Sequence, residues 1–195
     1  MTAKTDGQIQ EFGGRIEEFA GKKVREKVME GSEQIAKSSN KQKVALWMKE
    51  AVDHLDACAS PEKCAAIMTA RGHTCIAHNK GLANGIKNRR LKFPTEKAFI
   101  EAEIKKRPVK GIRLEMQGKI LIQYYTSELY NSRKRCFCST MNVLPEGTAV
   151  SPTYCQCSRG FVEKYWEGAL GRPVKVEVVE MCITGADECK FIIHL

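Results

Sequence analysis

The sequence predicts an α+β protein: an N-terminal helical layer packed on an antiparallel sheet, with a long C-terminal helix and a closing β-hairpin. Three observations predict it. Apolar residues recur at helical spacing up to about Lys106, the period falls to 2 beyond Pro108 around a Gln117-Gly118 turn, and a last amphipathic stretch ending at Gly171 precedes two β-rich runs. Helices first and strands afterwards argue α+β rather than an alternating parallel fold.

From Asp6 to about Met29, Ile9, Phe12, Ile16, Phe19, Ala20, Val24 and Val28 mark one amphipathic face. Gly13, Gly14 and Gly21 each weaken it by roughly 1 kcal/mol relative to Ala, so it needs a partner surface to persist. The polar run Gly31 to Lys43 reads as a connector. Val44, Leu46, Trp47, Val52 and Leu55 mark a second helix; Ser60-Pro61 is an N-cap with Pro in the first turn of a third, which Gly72 is expected to end. A fourth covers Thr74 to Asn88. Pro94-Thr95 opens a fifth, with Phe99, Ala102 and Ile104 inward, that Pro108 stops. Val109 to Met116 and Lys119 to Thr126 form a hairpin, and Lys134 to Thr140 is expected as a third strand with Cys136 and Cys138 on one face. Cys157 to Leu170 is the last helix, closed by Gly171 with Pro173 beyond, and Val174 to Cys182 and Cys189 to Leu195 pair at the end. The segments are an amphipathic helix and connector (1–43), a helical layer (44–107) and a sheet/helix half (108–195), with no internal repeat.

The chain has 195 residues, 43% hydrophobic and 28% charged, and a formal net charge of +9, the composition of a folded domain rather than a disordered one. It has no stretch of 18 apolar residues and no apolar export segment near Met1, so neither a membrane span nor secretion is expected, and a reducing cytoplasm is. In that compartment closely spaced thiols bind metal or do redox chemistry more often than they cross-link. There are nine cysteines.

Cys136-x-Cys138 and Cys155-x-Cys157 are separated by 16 residues, and Cys182 and Cys189 follow on the closing strands. Alternation along a strand aims both sulfurs of a C-x-C pair to one face, and a helix start favours a thiolate. Soft thiolates converging from a strand, a helix start and a hairpin are what tetrahedral Zn²⁺ requires. Buried inert thiols and redox chemistry are the other two readings of the same residues.

Tyr154-Cys155-Gln156-Cys157-Ser158-Arg159-Gly160-Phe161, then Trp166-Glu167-Gly168-Ala169-Leu170-Gly171-Arg172-Pro173-Val174, then Cys182 and Gly185-Ala186-Asp187-Glu188-Cys189-Lys190-Phe191 resemble the C-terminal half of the 4-vinyl reductase domain family. The family includes phenol-sensing domains of bacterial transcription activators. The resemblance covers roughly Pro108 to Leu195. It implies a zinc held by Cys155, Cys182 and Cys189 with an acidic residue of the first hairpin strand, a position that Glu180 and Glu177 both fit; Cys138 or Cys157 in its place makes the site all-thiolate. More distantly the chain is similar to L-2-amino-thiazoline-4-carboxylic acid hydrolases, which implies an enzyme reading but carries no catalytic residue across.

Tyr124, Tyr125, Tyr130, Phe161, Tyr165 and Trp166 gather around the sheet and its helix, and of these Tyr124, Phe161, Tyr165 and Trp166 are the candidate walls of a pocket for a small organic ligand. Ordinary core packing is the alternative. Cys58, Cys64, Cys75 and His78 form a looser second group, in which a Cys nucleophile with His54, His73 or His78 as base is the enzyme version. No hydrolase, zinc-protease, P-loop or dinucleotide motif is present. Lys87 to Lys92 and Arg133 to Arg135 are basic runs, but acidic residues are mixed through the rest, so nucleic acid is not the expected partner. The residues support three functions: a small-molecule sensor or carrier with a zinc site, a hydrolase of a small sulfur- or nitrogen-containing substrate, or a module that forms a homodimer through the Asp6 to Met29 face.

Overall fold

The computed structural model describes residues 2–106, 111–126, 136–145 and 147–195. Among them are eight α-helices and a four-stranded antiparallel sheet, as the α+β reading expects. The helical half comprises α1 (Thr2–Ala20), α2 (Lys22–Val28), α3 (Ser32–Ala36), α4 (Lys41–Cys58), α5 (Pro61–Ala77), α6 (Lys80–Arg90) and α7 (Glu96–Lys105). The second half comprises β1 (Ile112–Gln117), β2 (Ile120–Thr126), α8 (Gln156–Leu170), β3 (Lys175–Glu180) and β4 (Glu188–His194), with sheet order β1-β2-β4-β3. No helix among the described residues is long and apolar enough to cross a membrane.

Local chemistry sets most boundaries. The Asn40 side chain accepts from the amides of Gln42 (3.0 Å) and Lys43 (3.1 Å) at the start of α4, and Thr95 accepts from Ala98 (3.1 Å) at the start of α7. Ser60 and Pro61 open α5 as expected. Gln117 pairs with Ile120 across the two-residue turn of the first hairpin, and Gly171 closes α8 in the left-handed region at φ 70°.

Four expectations are corrected. The helix expected over Asp6 to Met29 is two, because Gly21 turns the chain at φ 90° between α1 and α2. The connector Gly31 to Lys43 contains α3 and the first turn of α4. Gly72 does not end a helix but lies inside α5, which runs to Ala77; the chain then breaks at His78-Asn79, where the Asn79 side chain accepts from Leu82 (3.3 Å) to start α6. The described part of the third strand, Cys136 to Thr140, is a turn in which Met141 and Asn142 both donate to the Cys138 carbonyl. Lys134 and Lys110, Pro108 as a helix stop, Tyr130 and the Arg133 to Arg135 run lie outside the described residues.

Two apolar cores meet at α8. One joins Ile9, Phe12 and Ile16 of α1 to α4, α5 and the Tyr154-to-Cys157 segment; the other joins Ile86, Phe99 and Ile100 to Val162, Trp166 and Ala169 of α8 and to Leu121, Phe191 and Ile193 of the sheet. The amphipathic face of the N-terminal segment is therefore covered by this chain's own α5, with Ile9, Phe12 and Ile16 each 2% exposed or less. Where α5 crosses α8, a Cβ on Gly72 would fall inside the contact distance of the Cys157 carbonyl, and one on Gly160 inside that of the Thr69 carbonyl. The two helix backbones touch there, and only glycine leaves room.

Candidate functional site

A cavity of about 440 Å³ lies between the sheet and helices α6, α7 and α8. That is within the size range of sites for small organic molecules. Its walls include Ile112, Leu114, Gln123 and Tyr125 from the sheet and Phe161, Tyr165 and Trp166 from α8. Side chains alternate along β2, so Leu121, Gln123 and Tyr125 face this side, and spacing of four along α8 brings Phe161, Tyr165 and Trp166 to meet them. Tyr124 faces the other way: its ring lies under the Arg113 guanidinium at 3.6 Å and its hydroxyl donates to Glu115 at 3.2 Å. The pocket tyrosine of β2 is Tyr125, one residue on, and the period-2 rule identifies it once the inward face is known.

The polar groups of the cavity are fixed. Trp166 Nε1 donates to the buried Gln123 Oε1 at 2.8 Å, and Gln123 in turn bonds the Tyr125 hydroxyl. Arg89 donates to Tyr165 Oη (3.0 Å) and to Glu103 (3.3 Å), and Lys106 is also bonded to Glu103. Two bases thus neutralise a carboxylate that is only 9% exposed. Arg90 donates to the Phe93 carbonyl at 3.0 Å, so both arginines of the Lys87 to Lys92 run are engaged within the chain.

The cysteines divide into two groups. Cys136, Cys155, Cys182 and Cys189 lie near enough for their charges to act on one another. Burial raises the Cys155 thiol to about 12, with repulsion from Cys189, Cys157 and Cys138 added, and burial followed by the charge of Cys138 raises Cys136 well above its ordinary value. Cys182 and Cys189 share a hydrogen bond that pushes Cys182 up and brings Cys189 down to about 7; the Cys182 amide also donates to Cys189 Sγ at 3.4 Å. Cys138 and Cys157 belong to the second group, around Tyr154 and Arg71: Cys138 Sγ lies 3.2 Å from Tyr154 Oη, and Arg71 donates to Cys157 Sγ at 3.4 Å. Among the described residues, no three His, Cys, Asp or Glu side chains form a preset metal cage.

Neither candidate carboxylate joins the thiols. Strand alternation would place Glu180 on the face of Val176 and Val178, beside Cys189. A bulge between Val178 and Glu180 inserts one residue, so Glu180 pairs with Lys190 instead and turns to the outer face, 3.7 Å from that lysine's ammonium. Glu177 meets Lys175 at 2.6 Å and His194 at 3.1 Å. In the helical half Cys64 is buried, Cys75 is exposed, His78 meets Glu11 at 3.0 Å and His73 meets Glu163 at 3.2 Å.

No family model matches the chain, and no curated protein matches it. Among solved structures it is similar to the crystal structure of an H-NOX protein from S. oneidensis in the Fe(II)NO ligation state, at 17% identity and a TM-score of 0.42, with 97% of this chain and 98% of that chain covered. A likeness of that degree identifies neither a ligand nor a cofactor for this chain.

Two groups outside the thiol cluster make the stability pH-dependent. Burial, then the charge of Asp56, raises the Cys64 thiol to about 11, and burial raises Tyr125 above the usual range of a phenol. Both are neutral when protonated, and the unfolded chain releases these protons at about 8.5 and about 10. Folding therefore retains protons that the unfolded state gives up, so this stabilisation is complete below about pH 8.5; the Cys64 part is lost as pH rises through about 11, and the Tyr125 part persists to higher pH. Cys189 runs the opposite way and over a separate window: its contribution is complete above about pH 9 and lost as pH falls through about 7. In metal-free protein the urea midpoint should fall between pH 9 and 11, and fall less steeply in Cys64→Ala. An equal slope in the variant would remove Cys64 from the account.

Proposed function

We propose that the protein binds a small, largely apolar organic molecule in the cavity between α8 and the sheet, as a sensor or carrier, and that Zn²⁺ held by Cys155, Cys182 and Cys189 braces one wall of it. The observation that carries the ligand reading is the cavity itself: aromatic and aliphatic walls with a few polar tips locked by Trp166, Gln123 and Arg89. A site of this kind takes an aromatic ring and gives it one or two hydrogen bonds. The resemblance to phenol-sensing domains of the 4-vinyl reductase family points the same way.

What supports zinc is the donor set. Cys155 at the entry to α8, Cys182 in the β3–β4 connection and Cys189 of β4 are buried thiols near enough for their charges to act on one another, and Cys136 is the candidate for a fourth sulfur where Glu180 turns away. A dication offsets the burial, and after it the mutual repulsion, that raise the Cys155 and Cys136 thiols. Bound there, zinc would supply a cross-link from the start of α8 to the start of β4. Cys189 lies directly across from Tyr125 in the sheet register, so that cross-link would hold a residue of the cavity wall.

p-Cresol is the probe for the cavity. The chain has two tryptophans, so Trp47→Phe leaves Trp166 as the reporter. Saturable quenching of Trp166 is expected, about tenfold weaker in Tyr125→Phe, where one hydrogen bond is lost, and absent in Leu114→Phe, which fills the space without adding a second indole. Quenching that does not saturate, or that survives the filled cavity, would sink the proposal.

A further inference from the structure

A smaller pocket lies on the far side of α8, between α1, α5 and the turn at Cys138, and has a volume of about 110 Å³. Arg71 of α5 forms part of its wall. Its guanidinium rests against the rings of Phe12 (5.8 Å) and Tyr154 (5.6 Å) and donates to Tyr154 Oη and Cys157 Sγ, each at 3.4 Å. Those partners are a phenol and a thiol. Arg15, Arg25, Arg89, Arg113 and Arg172 each meet a carboxylate within 4 Å, whereas among the described residues Arg71 meets none. Glu11, on the same wall, turns both carboxylate oxygens to His78 at 3.0 Å, and Arg15 is held by Glu18 at 2.7 Å. Arg71 is left as the cation of the pocket wall that is partly buried and has no counter-charge among the described residues.

We propose that this pocket binds a small carboxylate through Arg71. A guanidinium in a partly desolvated wall gains most from a planar anion that takes two of its N–H groups at once. Room for only a few heavy atoms favours an acid of about two to four carbons. Thr74, Ser139 and Thr140 line the same space and offer hydroxyl donors for the remaining oxygen lone pairs. With Arg15 already paired to Glu18, the single uncompensated charge of Arg71 matches a monoanion better than phosphate. The site shares no wall residue with the larger cavity, so failure of ligand binding there leaves this proposal standing.

The test uses the whole wild-type chain and the small arginine reagent 2,3-butanedione, with modification of Arg71 read by peptide mass. Propionate is expected to slow labelling of Arg71 at least fivefold, and its neutral isostere propionamide to leave it unchanged. Propionate should also raise the melting temperature saturably in wild type and in Arg15→Met, but not in Arg71→Met. If Arg71→Met does not fold, the labelling experiment decides alone. Equal protection by propionamide, or none by propionate, overturns the proposal, and protection by inorganic phosphate at lower concentration than propionate overturns the carboxylate assignment.

Discussion

Gly160→Ala is expected to destabilise the protein by about 3 kcal/mol, at the upper end of what overpacking costs, and to do so without removing a single interaction. The added methyl group would meet the Thr69 carbonyl of α5, which is backbone on the other side of a helix crossing and cannot rotate out of the way. Gly72→Ala should behave alike, since its Cβ meets the Cys157 carbonyl and the Phe161 amide. Gly168 is the control within the same helix. Nothing lies within 4 Å of a Cβ there, so Gly168→Ala should stabilise by about 0.5–1 kcal/mol through helix propensity. Urea denaturation of the three variants separates the two effects. If Gly160→Ala and Gly168→Ala shift the midpoint in the same direction by similar amounts, the close crossing of α5 and α8 is wrong. The consequence reaches both pockets, because α8 carries Cys157 into one and Phe161, Tyr165 and Trp166 into the other.

Removing the proposed zinc should have an effect of similar size. Purified protein is expected to carry about one Zn²⁺ per chain. Chelation should lower the melting temperature by about 10 °C, which for a chain of this length corresponds to roughly 3–4 kcal/mol. The donors are separable by mutation. Cys155→Ser, Cys182→Ser and Cys189→Ser should each lose most of the metal, Cys136→Ser should weaken it, and Glu180→Gln should leave it unchanged because that carboxylate is engaged with Lys190 on the outer face. Metal analysis by mass spectrometry reads each variant. A metal-free preparation with unchanged stability would end the zinc proposal; retention in Cys136→Ser with loss in Glu180→Gln would reassign the fourth donor to the carboxylate.

Much of the architecture was legible along the chain because it is written in local chemistry. Caps at Asn40, Ser60 and Thr95, the Gln117-Gly118 turn and the Gly171 stop all act within four residues of themselves. The errors arose where a residue has two local meanings. Gly72 reads as a helix end, but in α5 it is a contact surface for α8. Tyr124 and Tyr125 are equivalent in composition, and only the pairing of β2 with β4 decides that Tyr125 faces Phe191 and the cavity. The Cys136 to Thr140 segment alternates like a strand yet turns, because Met141 and Asn142 find the Cys138 carbonyl.

The sequence alone determined the fold class, the helical first half, both hairpins, and the concentration of thiols near the last helix, because periodicity and capping depend on neighbours in the chain. Tertiary structure decided which of those groups meet. A one-residue bulge in β3 sends Glu180 away from the cysteines, the α5–α8 crossing puts Arg71 beside Cys157 across 86 positions of sequence, and the sheet register sets Tyr125 against Cys189. Each is a long-range contact whose partner is chosen by packing, which no local pattern encodes.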